Sequence, residues 1–261
     1  MFPLNKMMKS SLLLSKSFAA AAVALIFGSC ATFAQMPGSG TSMMNSGMLK
    51  LFGPHTAFAC KTEIHVLDAS QKETVVVPFG FTVWDAKMRM DIDMTQVKGS
   101  DIPPAMPTTL KELGMDQAVI IQRPDKKLVL NIYPRAKSYA ETPMSKDEIA
   151  ASEKTYTLEK AKIGKETVEN HSCEKNNVTL TDEKGEKHVA TVWNATDLKD
   201  FPVQIQMTEQ GTTLLMKFRD VKLGKADASK FEAPGGLTKY KTAEALMDAA
   251  TKGTLGGGAA K

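Results

Sequence analysis

Residues 83–95 read Val-Trp-Asp-Ala-Lys-Met-Arg-Met-Asp-Ile-Asp-Met-Thr, and the run alternates apolar with polar. Trp84, Ala86, Met88, Met90, Ile92 and Met94 share one side of an extended strand; Asp85, Lys87, Arg89, Asp91 and Asp93 take the other. Successive strand side chains point to opposite faces, so the run predicts a sheet with one apolar and one wet face. Half of the apolar side is Met, which is unbranched and packs around irregular shapes. A face of that kind suits an adaptable core or the lining of a hollow.

The same alternation recurs along the chain. Strands are predicted at 58–67, 73–81, 118–122, 127–133, 156–163, 168–180, 187–193, 203–209 and 213–221. Turn residues separate them, among them Asp125-Lys126, Glu183-Lys184-Gly185 and Gln210-Gly211. Short helices fit 108–113, ahead of Gly114, and 145–154, where Ser145 and Glu148 have capping-box spacing. A further helix fits 242–251. The expected class is mainly β, an antiparallel sheet with few short helices. No period of 20–50 residues marks a solenoid or propeller.

Lys6, Lys9 and Lys16 precede an apolar run from Phe18 to Phe27, and Thr32-Phe33-Ala34 fits a signal peptidase site. The run falls short of the roughly 20 apolar residues of a membrane span. A rival reading, lipidation at Cys30, meets Phe27 where Leu is usual. Cleavage near Ala34 sends the mature chain to the periplasm or beyond. Losing the leader's three lysines leaves 30 basic against 29 acidic side chains, a balance without a nucleic-acid footprint. The expected organisation is a signal peptide at 1–34, a flexible Gly, Ser and Met-rich linker at 35–54, a curved β domain at 55–240, and a short helix with a disordered tail at 241–261.

After export Cys60 and Cys173 form an even pair in an oxidising compartment, and a disulfide between them is expected. His55, His65, His171 and His188 are scattered without metal-ligand spacing, so no metal or other cofactor is expected. Asp91 and Asp93 sit two apart on one strand face, which a solvated face with Lys87 and Arg89 explains better than paired catalytic carboxylates. No Gly-x-Ser-x-Gly elbow marks a hydrolase.

Several punctuating residues occur in a recognisable order. Arg123-Pro124-Asp125 precedes a strand, then Tyr133-Pro134, Tyr139 and Pro143; Gly164, Cys173 and Gly185 follow; Val192-Trp193-Asn194-Ala195 leads to Asp197-Leu198 and Pro202-Val203; Phe231-Glu232-Ala233-Pro234-Gly235 comes last, before Tyr240. The order resembles an exported bacterial family of domains of unknown function, itself similar to the LolA and LolB lipoprotein carriers. The resemblance covers about residues 58–240 and implies a strongly curved antiparallel sheet, an incomplete barrel whose concave apolar face is covered by helices. By that analogy Trp84, Met88, Met90, Met94, Ile205, Met207, Leu214, Met216 and Phe218 would line the hollow. This chain departs from the carriers in its Met-rich linker and in insertions around 100–117 and 140–155, and Arg89 lies on the polar side of its strand. Three functions follow as expectations: an envelope carrier of an apolar ligand such as a lipid or acyl chain, with peripheral membrane contact; an envelope protein-interaction module whose groove is filled by its own side chains; and, third, a hydrolase.

Overall fold

The computed structural model describes residues 46–100, 102–209 and 211–253. The expected signal peptide, the linker up to residue 45 and the last eight residues lie outside them. Thirteen strands form one sheet. The first half comprises β1 (Ala57–Leu67), β2 (Glu73–Trp84), β3 (Lys87–Asp93), β4 (Lys98–Gly99), β5 (Gln117–Arg123), β6 (Leu128–Tyr133) and β7 (Ser138–Pro143). The second half comprises β8 (Tyr156–Val168), β9 (His171–Asp182), β10 (Lys187–Ala195), β11 (Phe201–Glu209), β12 (Thr212–Leu223) and β13 (Thr238–Tyr240). The spatial order is β13-β7-β6-β5-β3-β2-β1-β12-β11-β10-β9-β8, with β4 on β2. All neighbours are antiparallel except β13 and β7. The sheet is mainly β, curved and not closed into a barrel, as expected. Its helices are α1 (Ser46–Leu51), α2 (Met106–Glu112), α3 (Lys146–Glu153) and α4 (Ala243–Thr251).

The opening run is not one strand. Asp85 and Ala86 adopt φ of 51° and 61°, a two-residue turn joining β2 to β3. Such primed turns match the twist of a hairpin. Val83 then pairs with Met88, and Trp84 with Lys87. The turn reverses the chain, so Trp84 shares a face with Lys87 instead of Met88. Its ring lies 4.6 Å from the Lys87 Nζ. Met94 has left the strand for a 3-10 turn at Met94–Gln96, where the Asp93 carboxylate caps the turn by accepting from the Thr95 N–H.

α1 corrects the linker expectation. Met48, Leu51 and Phe52 have the i, i+3, i+4 spacing of a helical apolar stripe, and all three are buried. Phe52 enters the concave face among Phe58, Phe201 and Phe218, with ring centroids at 4.7, 5.5 and 5.2 Å. These tilted and edge-on contacts are favourable ring geometries. The Ser46 hydroxyl donates to the carbonyls of Ala151 and Lys154, tying α1 to α3. Beneath Phe52 the main core gathers Ile64, Phe81, Ile205, Met216 and Phe218.

α2 begins earlier than expected, with Ala105 as N-cap and Pro107 in its first turn, where a missing N–H is harmless. α3 carries the expected capping box of Ser145 and Glu148. α2 and α4 bury Met106, Leu110, Leu246 and Ala250 in a second core with Ala118 and Ala140. On the opposite face of β5 and β6, Phe231 packs on Val119, Ile121, Leu130 and Ile132.

Two substitutions follow. Phe52→Ala is expected to destabilise the protein by about 3–5 kcal/mol in denaturant titrations; a change within about 0.5 kcal/mol would mean that the ring is not part of the core. Ala86→Gly is expected to stabilise by about 1 kcal/mol, since glycine takes positive φ without the Cβ penalty; an unchanged or lower midpoint would contradict the turn.

Candidate functional site

The concave face divides into a sealed part and an open part. Ile205, Leu214, Met216 and Phe218 are buried in the core under α1 and Phe52, with Met207 packed against them. These side chains were expected to line a hollow, and here they line one that the chain itself fills. Met88 is buried beside them, while Met90 and Ile92 are half-buried at the core's margin. Trp84 lies on the other face against Phe231, and Met94 packs into the second core.

Beyond β3 the concave face is less covered. Strand register builds two cross-strand rows. Met88 pairs with Gln122, Gln122 with Val129 and Val129 with Thr142. Met90 pairs with Ile120, Ile120 with Asn131 and Asn131 with Ala140. Ile120, Gln122, Val129, Asn131 and Thr142 are all half-buried. None of these was singled out from sequence, although the parity of Ala118, Ile120 and Gln122 carries the signal.

A cleft of about 390 Å³ opens at the end of these rows. Its apolar wall is Leu49, Val83, Met88 and Met144; Lys50, His55, Asp85, Gln122 and Glu148 supply polar groups. α1 and α3 form one side and the β2–β3 turn the other. The volume lies at the lower end of the range for small-molecule sites, and the mixture of an apolar wall with a few polar groups is their usual chemistry.

The opposite face is closed by a polar clamp. Arg123 is 6 % exposed. Its Nε and Nη2 donate to the two carboxylate oxygens of Asp125 at 2.9 and 2.8 Å. Its Nη1 donates to the Phe231 carbonyl at 3.0 Å and to the Glu232 carboxylate. Hydrogen bonding to Arg123 holds the Asp125 and Glu232 carboxyls below the usual range. Thus the Arg-Pro-Asp turn and the Phe-Glu-Ala-Pro segment, 108 residues apart at their hydrogen bond, are one contact. Arg89 works beside them, donating to Asp91 and to the Lys230 carbonyl. Asp91 and Asp93 have separate tasks, since Asp93 caps the turn at Thr95.

The histidines are dispersed. His65 meets Glu73, His171 meets Asp197, His188 meets Glu209, and His55 contacts the Lys199 carbonyl. Among the described residues no group of three His, Cys, Asp or Glu is arranged to hold a metal ion.

The expected disulfide is not formed. Cys60 and Cys173 are free, buried thiols. They lie on β1 and β9, with β12, β11 and β10 between them in the sheet. Each sulfur has its own partner, the Thr62 hydroxyl for Cys60 and the His171 carbonyl for Cys173. Burial pushes the Cys60 thiol up to about 12 and raises that of Cys173. Thiolate is the reacting form, so burial and the raised pKa both work against reaction of these thiols near neutral pH.

Residues 81–201 match the model of a family described as a domain of unknown function, DUF4412. The expectation of such a family holds. No curated protein matches the sequence. Among solved structures, a LolA superfamily protein from Nitrosomonas europaea is similar at 9% identity and a TM-score of 0.36, over 70% of this chain and 93% of that one. The Mycobacterium tuberculosis lipoprotein LppX is similar at 9% identity and 0.37, over 69% and 94%. LprF from Mycobacterium bovis gives 9% identity and 0.35, over 70% and 93%.

A thiol reagent at pH 8 is expected to leave the native mature protein unmodified on the time scale of mixing, and to find two thiols after denaturation without reductant. Rapid native reaction would contradict the burial of the sulfurs. Absence of thiols after denaturation would restore the disulfide.

Proposed function

We propose that this chain is an exported binding protein that holds an apolar ligand, such as a lipid acyl chain, on the open part of its concave face. No covalent step is involved. The observation that carries this reading is the half-buried surface of Met90, Ile120, Gln122, Val129 and Asn131, in two cross-strand rows that lead from the buried Met88, beside a cleft with an apolar wall. Burying a chain there contributes about 0.8 kcal/mol per methylene. Met88 and Met90 let the surface adapt to a flexible chain, while Gln122, Asn131 and Thr142 offer hydrogen bonds to its polar end. The Lys-flanked apolar leader supports an envelope location after cleavage near Ala34, where lipid is at hand and peripheral membrane contact delivers it.

A protein-interaction module is the second reading. The observation that favours it is Phe52, which fills the other part of the hollow with the chain's own ring.

Native mass spectrometry on the mature protein, purified from the periplasm without detergent, separates the two. Adducts of acyl-lipid mass are expected, and Met90→Asp should remove at least about nine-tenths of them while circular dichroism stays unchanged, because a carboxylate forced into an apolar contact is strongly disfavoured. A protein that stays apo after incubation with lipid vesicles would overturn the carrier reading.

A further inference from the structure

β8 is the outer strand at one end of the sheet, and it pairs only with β9. Ten of its thirteen residues are exposed. Its free edge offers backbone N–H and C=O groups to another strand. Leu158 and Ile163 are 41 % and 55 % exposed, two of the four large apolar side chains left exposed among the described residues.

The register with β9 sorts its charges by face. Leu158, Lys160 and Lys162 pair with Leu180, Val178 and Asn176, on the concave side. Glu159 pairs with Thr179, on the convex side. The register slips between Lys162 and Gly164. Past that bulge Lys165 pairs with Glu174 on the concave side, while Glu166 lies on the convex side with Lys175 and Trp193. One rim of the edge therefore carries Lys160, Lys162 and Lys165, with Lys162 ion-paired to Glu174 of β9, and the other carries Glu159 and Glu166.

This arrangement works against a second copy. A two-fold axis through an antiparallel strand pair keeps each face on its own side. Pairing two copies about Glu159 sets Glu159 against itself; about Lys160, Lys160 against itself; about Ala161, Lys160 against Lys162; registers about Leu158 or Thr157 oppose no like charges but pair at most five residues of each copy. Like charges directly opposite one another are destabilising. Residues 1–45 and 254–261 contain neither Asp nor Glu, so these segments do not complement the basic rim.

We propose that β8 is a docking edge for an extended, acidic segment of a partner protein, which adds as a strand along 156–162 with its carboxylates opposite Lys160 and Lys162. Backbone hydrogen bonds supply the attachment and the charged rim chooses the sequence, as in other strand-addition complexes. The added strand also covers Leu158.

The probe is a fluorescent octapeptide alternating Glu and Val, compared with one alternating Lys and Val. The acidic peptide is expected to bind about ten-fold more tightly, since each charged position changes from a like to an opposite pair. N-methylation of its alternate amides should abolish binding, and Lys160→Glu with Lys162→Glu should reverse the preference. Both lysines are exposed, and the double variant's circular dichroism and thermal midpoint report that it folds. Equal binding of the two peptides, binding that survives N-methylation, or no binding of the acidic peptide at millimolar concentration would each overturn the proposal.

Discussion

An open curved sheet exposes an apolar face on its inner side, and everything else in this molecule depends on how that face is covered. Part of it is covered by Phe52. One ring, held by a two-turn helix and seated against Phe58, Phe201 and Phe218, closes the centre of the half-barrel. Interiors tolerate little empty volume, so the wedge decides which apolar side chains are core. Ile205, Leu214, Met216 and Phe218 fall under it. Met90, Ile120 and Val129 do not, and with the cleft lined by Leu49, Met88 and Met144 they make up the apolar surface left to a ligand.

The other face is covered by a strap around Phe231, and Arg123 holds it in place. A guanidinium buried with Asp125 on one edge and the Phe231 carbonyl with Glu232 on the other has its donors well used. Bidentate pairing of this kind is geometrically specific. With the convex side clamped and the centre of the concave side plugged, the cleft between α1, α3 and the β2–β3 turn is the place where the two coverings leave room. The outermost strand meets α1 and packs Tyr156 and Val168 on the core, but most of its side chains stay exposed, with their charges sorted between the two rims.

Much of the sheet was legible in the sequence because alternation is local. Strands such as Phe201–Glu209 and Thr212–Leu223 follow directly from the parity of Val203, Ile205 and Met207 and of Leu214, Met216 and Phe218. The site was less legible, for two physical reasons. Asp85 and Ala86 are not the Asn-Gly pair that usually marks a primed turn, so the alternation from Val83 runs on without a visible break and assigns Trp84 to the face of Met88. The Met-rich linker hid a short amphipathic stripe, Met48, Leu51 and Phe52, whose burial depends on tertiary contact with a hollow that only the folded sheet creates. Arg123 and Phe231 both stand in the punctuating order of the sequence, yet nothing local says that they touch.

The division of the concave face into a plugged and an open part is the central claim, and a photoactivatable acyl chain tests it most directly. After crosslinking and peptide mass spectrometry, the account predicts labels on Met88, Met90, Ile120 and Val129, with Met216 and Phe218 unlabelled. Labels concentrated on Ile205, Leu214, Met216 and Phe218 would show that the ligand displaces Phe52 and occupies the centre of the hollow, and would contradict it.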